Sequence, residues 1–162
     1  MSVGYIGYDP GSPATMVLID PNGRWVAHAG EDKLAAQVGN KWTNMPEAFV
    51  HYVKLWKEQA KFPIRAVVEN VGPMPGEGIV SAAKFAGSVW MARTGFAALD
   101  VPYTMVVPTK WKKHFRLDKE KEKSRMLAMQ RFPNKVGYMK RKKDHNVAEA
   151  ALLGLYGWEH KL

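Results

Sequence analysis

The 162-residue sequence has no cysteine, which excludes disulfides and thiolate metal sites, so any metal must sit on oxygen or imidazole. It also lacks an apolar run approaching the roughly 20 residues that span a bilayer. Its start has no charged segment followed by an apolar stretch and a cleavage site. These absences predict a soluble, cytoplasmic protein with no membrane partner. Equally missing are a Walker loop, a nucleophile elbow and a zinc-binding helix motif. The run Gly72-Pro73-Met74-Pro75-Gly76 does not have the glycine spacing of a dinucleotide site, and no small-molecule cofactor is expected. Internal repeats and low-complexity tracts are absent too, and the length suits a single domain over residues 1–162.

Acids are scarce in one stretch. Positions 110 to 143 hold 14 Lys/Arg against three acids, Asp118, Glu120 and Glu122, so the net charge of +9 is concentrated there and the remainder is slightly acidic. Such a block attracts a polyanion, and nucleic acid is the commonest one, because each neutralised phosphate releases counterions. The plainer alternative is a solvated basic surface that only aids solubility. The candidate phosphate contacts are Lys110, Lys112, Lys113, Lys121, Lys123, Arg125, Lys140, Arg141, Lys142 and Lys143. Binding through them should weaken steeply with salt.

Apolar residues are present in ordinary amount, 46%, and their pattern gives the elements. Residues 3–8, 15–20 and 24–28 read as strands of an antiparallel meander, joined by Asp9-Pro10-Gly11-Ser12 and by the hairpin signal Pro21-Asn22-Gly23. Residues 44–61 have helical spacing (Phe49, Val53, Trp56, Ala60), with Asn44 as the expected N-cap. A buried strand over 64–68 delivers Glu69, and a Gly- and Pro-rich loop covers 71–78. A helix over 79–95 brings Ala82, Ala83, Ala86 and Gly87 together, which lets another helix approach closely. Then come a strand over 102–107, a helix from Asp118 to Phe132 capped by Asp118, a flexible basic linker over 134–143, and a last helix over 144–158. The order implies a mixed sheet flanked by helices.

Three carboxylates stand in apolar settings: Asp9 where a strand breaks, Glu69 at the end of a Val-Val run, and Glu149 in a small, apolar helix. Burying such charges costs several kcal/mol unless something compensates them. A divalent cation is one common partner, since hard cations take oxygen ligands and bridge them to phosphate. On the last helix His145 lies four residues before Glu149 and can share its face as a metal ligand or general acid, or it contacts phosphate. Asp144 is a further candidate ligand, or else a helix N-cap. Two ions about 4 Å apart can activate a water and stabilise the leaving oxygen of a phosphodiester, with no covalent nucleophile.

The ordered set Gly7-Tyr8-Asp9-Pro10-Gly11-Ser12, Val67-Val68-Glu69-Asn70-Val71, Pro108-Thr109-Lys110-Trp111-Lys112, Glu122-Lys123-Ser124 and Asp144-His145-Asn146-Val147-Ala148-Glu149-Ala150 resembles RuvC-type Holliday-junction resolvases across nearly the whole chain. The resemblance implies an RNase H-like α/β fold with a five-stranded mixed sheet. It implies a homodimer acting on branched DNA, and paired nicks that depend on Mg²⁺ or Mn²⁺. Asp9, Glu69 and Glu149 match the family's metal-binding acids, Lys112 and Lys123 its basic cleft residues, and the helix with Ala82, Ala83 and Gly87 its dimerisation helix. Asn146 stands where the family has its penultimate acid, so His145 or Asp144 fills that role. Gly72 stands where an aromatic is frequent, which moves a base-stacking wedge to Met74. Two further readings remain at this stage: a nuclease of the same fold acting on flaps, forks or structured RNA, and a branched-DNA-binding module without catalysis.

Overall fold

The computed structural model describes residues 2–39, 41–72 and 75–162. Strands β1 (Gly4–Asp9), β2 (Thr15–Ile19) and β3 (Trp25–Ala29) form the expected antiparallel meander. Strands β6 (Ile64–Glu69) and β7 (Tyr103–Val106) then add in parallel on the other side of β1. The sheet order is β3-β2-β1-β6-β7, a mixed five-stranded α/β sheet as the sequence pattern implied. Because β3 is antiparallel to β2, and β2 to β1, the carboxyl ends of β1, β3, β6 and β7 share one edge. In open α/β sheets that edge is where ligands gather.

Side chains alternate between the two faces, and each face has its own core. Tyr5, Val17, Ile19 and Val67 pack with helix α6 (His145–His160), whereas Ile6, Tyr8, Met16, Leu18, Ala66 and Val68 pack with α2 (Pro46–Gln59) and α3 (Ile79–Ala98). α6 lies almost on the backbone of β1. A Cβ added to Gly7 would stand 2.0 Å from the Ala150 carbonyl oxygen and 2.3 Å from the Gly154 nitrogen, so only glycine permits this approach. No helix of the described residues is long and apolar enough to cross a membrane.

The sequence reading placed several boundaries differently. Asn44 ends β5 (Lys41–Asn44) instead of capping α2, which begins at Pro46 with its fixed φ. Strand β5 pairs with β4 (Ala35–Val38) after a one-turn helix α1 (Glu31–Leu34), a hairpin absent from the pattern-based reading. The helix expected from Asp118 begins only at Lys121 and is α5 (Lys121–Arg131), after the separate α4 (Pro108–His114). The Asp118 carboxylate accepts from the Glu120 N–H and pairs with Lys123, so it shapes the preceding turn. The stretch 134–143 is not a flexible linker: two 3₁₀ segments, Pro133–Met139 and Lys142–Asp144, occupy most of it, with Met139 fully buried. Met74, the expected wedge, lies outside the described residues.

Candidate active site

Strand parity builds the site. Asp9 shares a face with Tyr5 and Gly7, and Glu69 shares it with Val67, so both carboxylates point towards α6. The parallel register pairs Tyr8 with Val68, which sets the two acids side by side at the carboxyl edge. α6 crosses the same face and carries Glu149. All three are nearly removed from water, with relative exposures of 5%, 6% and 5%.

Each acid has a different partner. Asp9 Oδ1 accepts from the Gly11 N–H at 3.2 Å, and Glu69 Oε1 accepts from Trp111 Nε1 at 3.0 Å. Glu149 Oε1 accepts from the Ser124 hydroxyl at 3.1 Å and meets Lys112 Nζ at 3.0 Å. Burial, followed by repulsion from Glu69 and Glu149, pushes the Asp9 carboxyl well above the usual carboxylate range against the weaker pull of Gly11 and Lys121. Burial likewise pushes Glu69 up and Glu149 adds to it, while the Trp111 hydrogen bond and Lys112 and Lys121 oppose. The acids therefore feel one another, and the nearby lysines compensate them incompletely.

That donor set suits a hard divalent cation: three buried carboxylates whose mutual repulsion an added positive charge would relieve. Among the described residues no three His, Asp or Glu side chains stand close enough to form a ready-made ligand group. Trp111, Ser124 and Lys112 hold Glu69 and Glu149 against protein donors.

The turn after Asp9 is braced from two sides. Asn44 Nδ2 donates to the Gly11 carbonyl at 3.2 Å and its Oδ1 accepts from the Ala14 N–H at 2.8 Å. Ser88 on α3 donates to the Gly11 carbonyl at 3.4 Å, and its hydroxyl lies 2.8 Å from the buried Tyr8 hydroxyl. Sequence reasoning missed this brace, along with Trp111 and Ser124. The latter two fall inside segments flagged by the resemblance, but nothing in their spacing showed that they would reach Glu69 and Glu149.

The remaining candidates are placed as follows. His145 is half-buried at the start of α6; the Lys142 carbonyl, 3.1 Å from Nδ1, can only accept, so Nδ1 carries the proton and Nε2 faces Lys121 Nζ at 2.9 Å. Asp144 occupies the N-cap position but makes no cap bond. It binds Arg141, whose hydrogen bonds and charge outweigh burial and hold the carboxyl below its usual range. Lys110, Lys113, Lys121, Lys140, Lys142 and Lys143 are exposed. Lys123 is exposed but paired with Asp118 and Glu120. Arg125 is mostly buried and donates to the Met139 and Lys140 carbonyls, which ties α5 to the following turn. Two cavities flank the carboxylates. One of about 800 Å³ opens beside Asn70, Gly72 and Lys112, and one of about 640 Å³ lies between α1 and residues 137–147.

The layout of sheet and helices, with α6 across β1, is the RuvC type of RNase H-like fold. Solved structures of Thermus thermophilus RuvC are among those that share it. Thermus thermophilus RuvC in complex with a Holliday junction substrate superposes with a TM-score of 0.67 at 11% identity, covering 98% of this chain and 95% of that one. A second Thermus thermophilus RuvC structure gives 0.60 at 12% identity with the same coverage. No family model and no curated protein matches the sequence.

Proposed function

We propose that this protein is a metal-dependent endonuclease that resolves four-way DNA junctions and related branched DNA by paired phosphodiester nicks. The observation that carries the reading is the grouping of Asp9, Glu69 and Glu149 on one buried face at the carboxyl edge of a RuvC-type sheet, where Glu69 and Glu149 raise the cost of charging Asp9 and Glu149 that of charging Glu69. In this reading Asp9, Glu69 and Glu149 hold Mg²⁺, or Mn²⁺ in its place, and His145 or Asp144 completes the set. Bound there, the cation would supply charge for the attacking water and the leaving oxygen.

The chain's own groups bind and orient. Exposed Lys110, Lys113 and Lys121 on one side, and Lys140, Lys142 and Lys143 on the other, draw the phosphate backbone across the acids. Lys112 stands inside the site and neutralises Glu149 until substrate arrives. His145, with a lone pair on Nε2 directed at Lys121, is placed to pass a proton at the edge of the site. The two-fold nature of a junction calls for two such sites. α3 supports a homodimer, since Ile79, Val80 and Trp90 expose 88%, 66% and 59% of their surface, and Ala83, Ala86 and Gly87 leave its outer face shallow.

A substrate panel tests the function. With Mg²⁺, four-way junctions should be nicked at least about tenfold faster than forks, flaps or duplex of the same sequence, a preference of roughly 1.4 kcal/mol. Equal rates on all of them would replace junction resolution with general branched-DNA cleavage.

A further inference from the structure

The cavity between α1 and residues 137–147 has Lys140, Lys143 and Asp144 of the reading above on its rim, but the rest of its lining differs from that of a phosphate groove. We infer that it is a base-binding pocket, which takes one unstacked nucleobase of the DNA strand beside the cut phosphate, against the rings of Tyr138 and His28. The inference deepens the nuclease reading and rests on it only for where the cut lies.

Three observations carry it. First, the wall is aromatic. Tyr138 is half exposed, its ring centroid lies 4.3 Å from that of His28, and both pack around Trp25, so the rings are fixed before any ligand arrives. Burial, with the charge of Lys33 beside it, lowers the His28 pKa, so this ring is neutral at physiological pH. Every nucleobase has a π face, and stacking on fixed aromatics is the usual way a protein holds an extruded one.

Second, the lining is mixed in charge. Lys33, Lys140 and Lys143 border the cavity, as a backbone contact requires, but Glu31, Asp32 and the Asn146 amide border it too. Carboxylates repel phosphate, whereas carboxylate and amide groups suit the donors and acceptors on the edge of a base. Its volume of about 640 Å³ lies within the range of small-molecule sites and is ample for one nucleotide.

Third, the cavity adjoins the acids. Thr15, which lines it, is the register partner of Asp9 in the β1–β2 pair, and Asn146 follows His145 on α6. β3 and α1 form the far wall, and β3 ends on the same sheet edge as Asp9. A strand whose phosphate lies at the carboxylates therefore passes the mouth of the cavity with its neighbouring nucleotide.

Photocross-linking tests this without relying on cleavage. A junction carrying a single 5-iododeoxyuridine, walked one nucleotide at a time outward from the branch point, is bound in chelator and irradiated, and the attached peptide is identified by mass spectrometry. At one position the base should attach to Tyr138 or His28. Tyr138→Ala should lower that yield by about tenfold, and Tyr138→Phe should retain it, with both variants melting cooperatively. Attachment only elsewhere, or a yield unchanged in Tyr138→Ala, overturns the pocket. Mapping the nicks with Mg²⁺ on the same junctions separates the two ideas. Cross-linking at Tyr138 without nicking would leave the base pocket standing and remove the nuclease. Nicking with no attachment to either ring at any position would do the reverse.

Discussion

Lys112 Nζ lies 3.0 Å from Oε1 of Glu149, an ion pair at the centre of the site between two side chains that are 17% and 7% exposed. Their charges are largely withdrawn from water, so each depends on the other, and the Ser124 hydroxyl adds a single hydrogen bond. A divalent cation approaching Glu149 must compete with this ammonium group. Before metal and DNA arrive, Lys112 is the resident counter-charge.

Removing one partner should therefore cost more than removing both. Lys112→Ala is expected to destabilise the metal-free protein by about 2 kcal/mol, because it leaves a buried carboxylate without its cation. Adding Glu149→Gln should restore most of that loss. Urea denaturation of the two single variants and the double variant measures the coupling. Strict additivity would mean that the pair contributes nothing as a pair.

The raised carboxyls of Asp9 and Glu69 set a sign for the pH dependence. A group whose folded pKa lies above its unfolded value binds more protons in the native state, so stability declines as pH rises from the ordinary carboxylate range through the raised values. In chelator the melting temperature should thus fall as pH rises above the ordinary carboxylate range, and excess Mg²⁺ should flatten the trend. Asp9→Asn removes one of the repelling charges. It should raise the chelator melting temperature at pH 8 by roughly 3 °C, the shift that about 1 kcal/mol produces in a domain of this size. A melting temperature that climbs with pH in chelator would contradict the electrostatic picture.

Val80→Asp places a charge on the exposed apolar face of α3. Sedimentation should show the parent protein as a dimer and this variant as a monomer with unchanged far-UV circular dichroism. A monomeric parent would mean that each copy cuts alone.

What was legible in the sequence, and what was not, follows from the range of each signal. The β-prone and apolar runs 3–8, 15–20 and 64–68 are local signals, so the meander and the strand that delivers Glu69 could be read from them, whereas the face that Asp9 and Glu69 share follows from the pairing of β1 with β6, which no local pattern shows. The β4–β5 hairpin was not legible, because its strands pair only with each other and need no deep apolar side. Asn44 looked like an N-cap since Pro46 follows it, yet its amide is used 33 and 30 residues away, on Gly11 and Ala14. Asp118 misled in a similar way, as Asp suits both a cap and a turn. The basic stretch 134–143 reads as solvated because its charges dominate the composition. Its structure depends on Met139 and on Arg125 reaching across from α5, which are tertiary facts. Trp111 to Glu69 and Ser124 to Glu149 are contacts over 42 and 25 residues, and no spacing rule connects them.

The most direct test of the central claim is junction cleavage by Asp9→Asn beside the parent protein, with Mg²⁺ present and binding to the same junction measured in chelator. The account predicts Mg²⁺-dependent nicking by the parent and a fall of at least about 100-fold in the variant, a loss of roughly 3 kcal/mol of transition-state stabilisation. Junction affinity should stay within about threefold of the parent's, under 1 kcal/mol. Undiminished nicking by Asp9→Asn, or tight junction binding by a parent protein that never nicks, would contradict it.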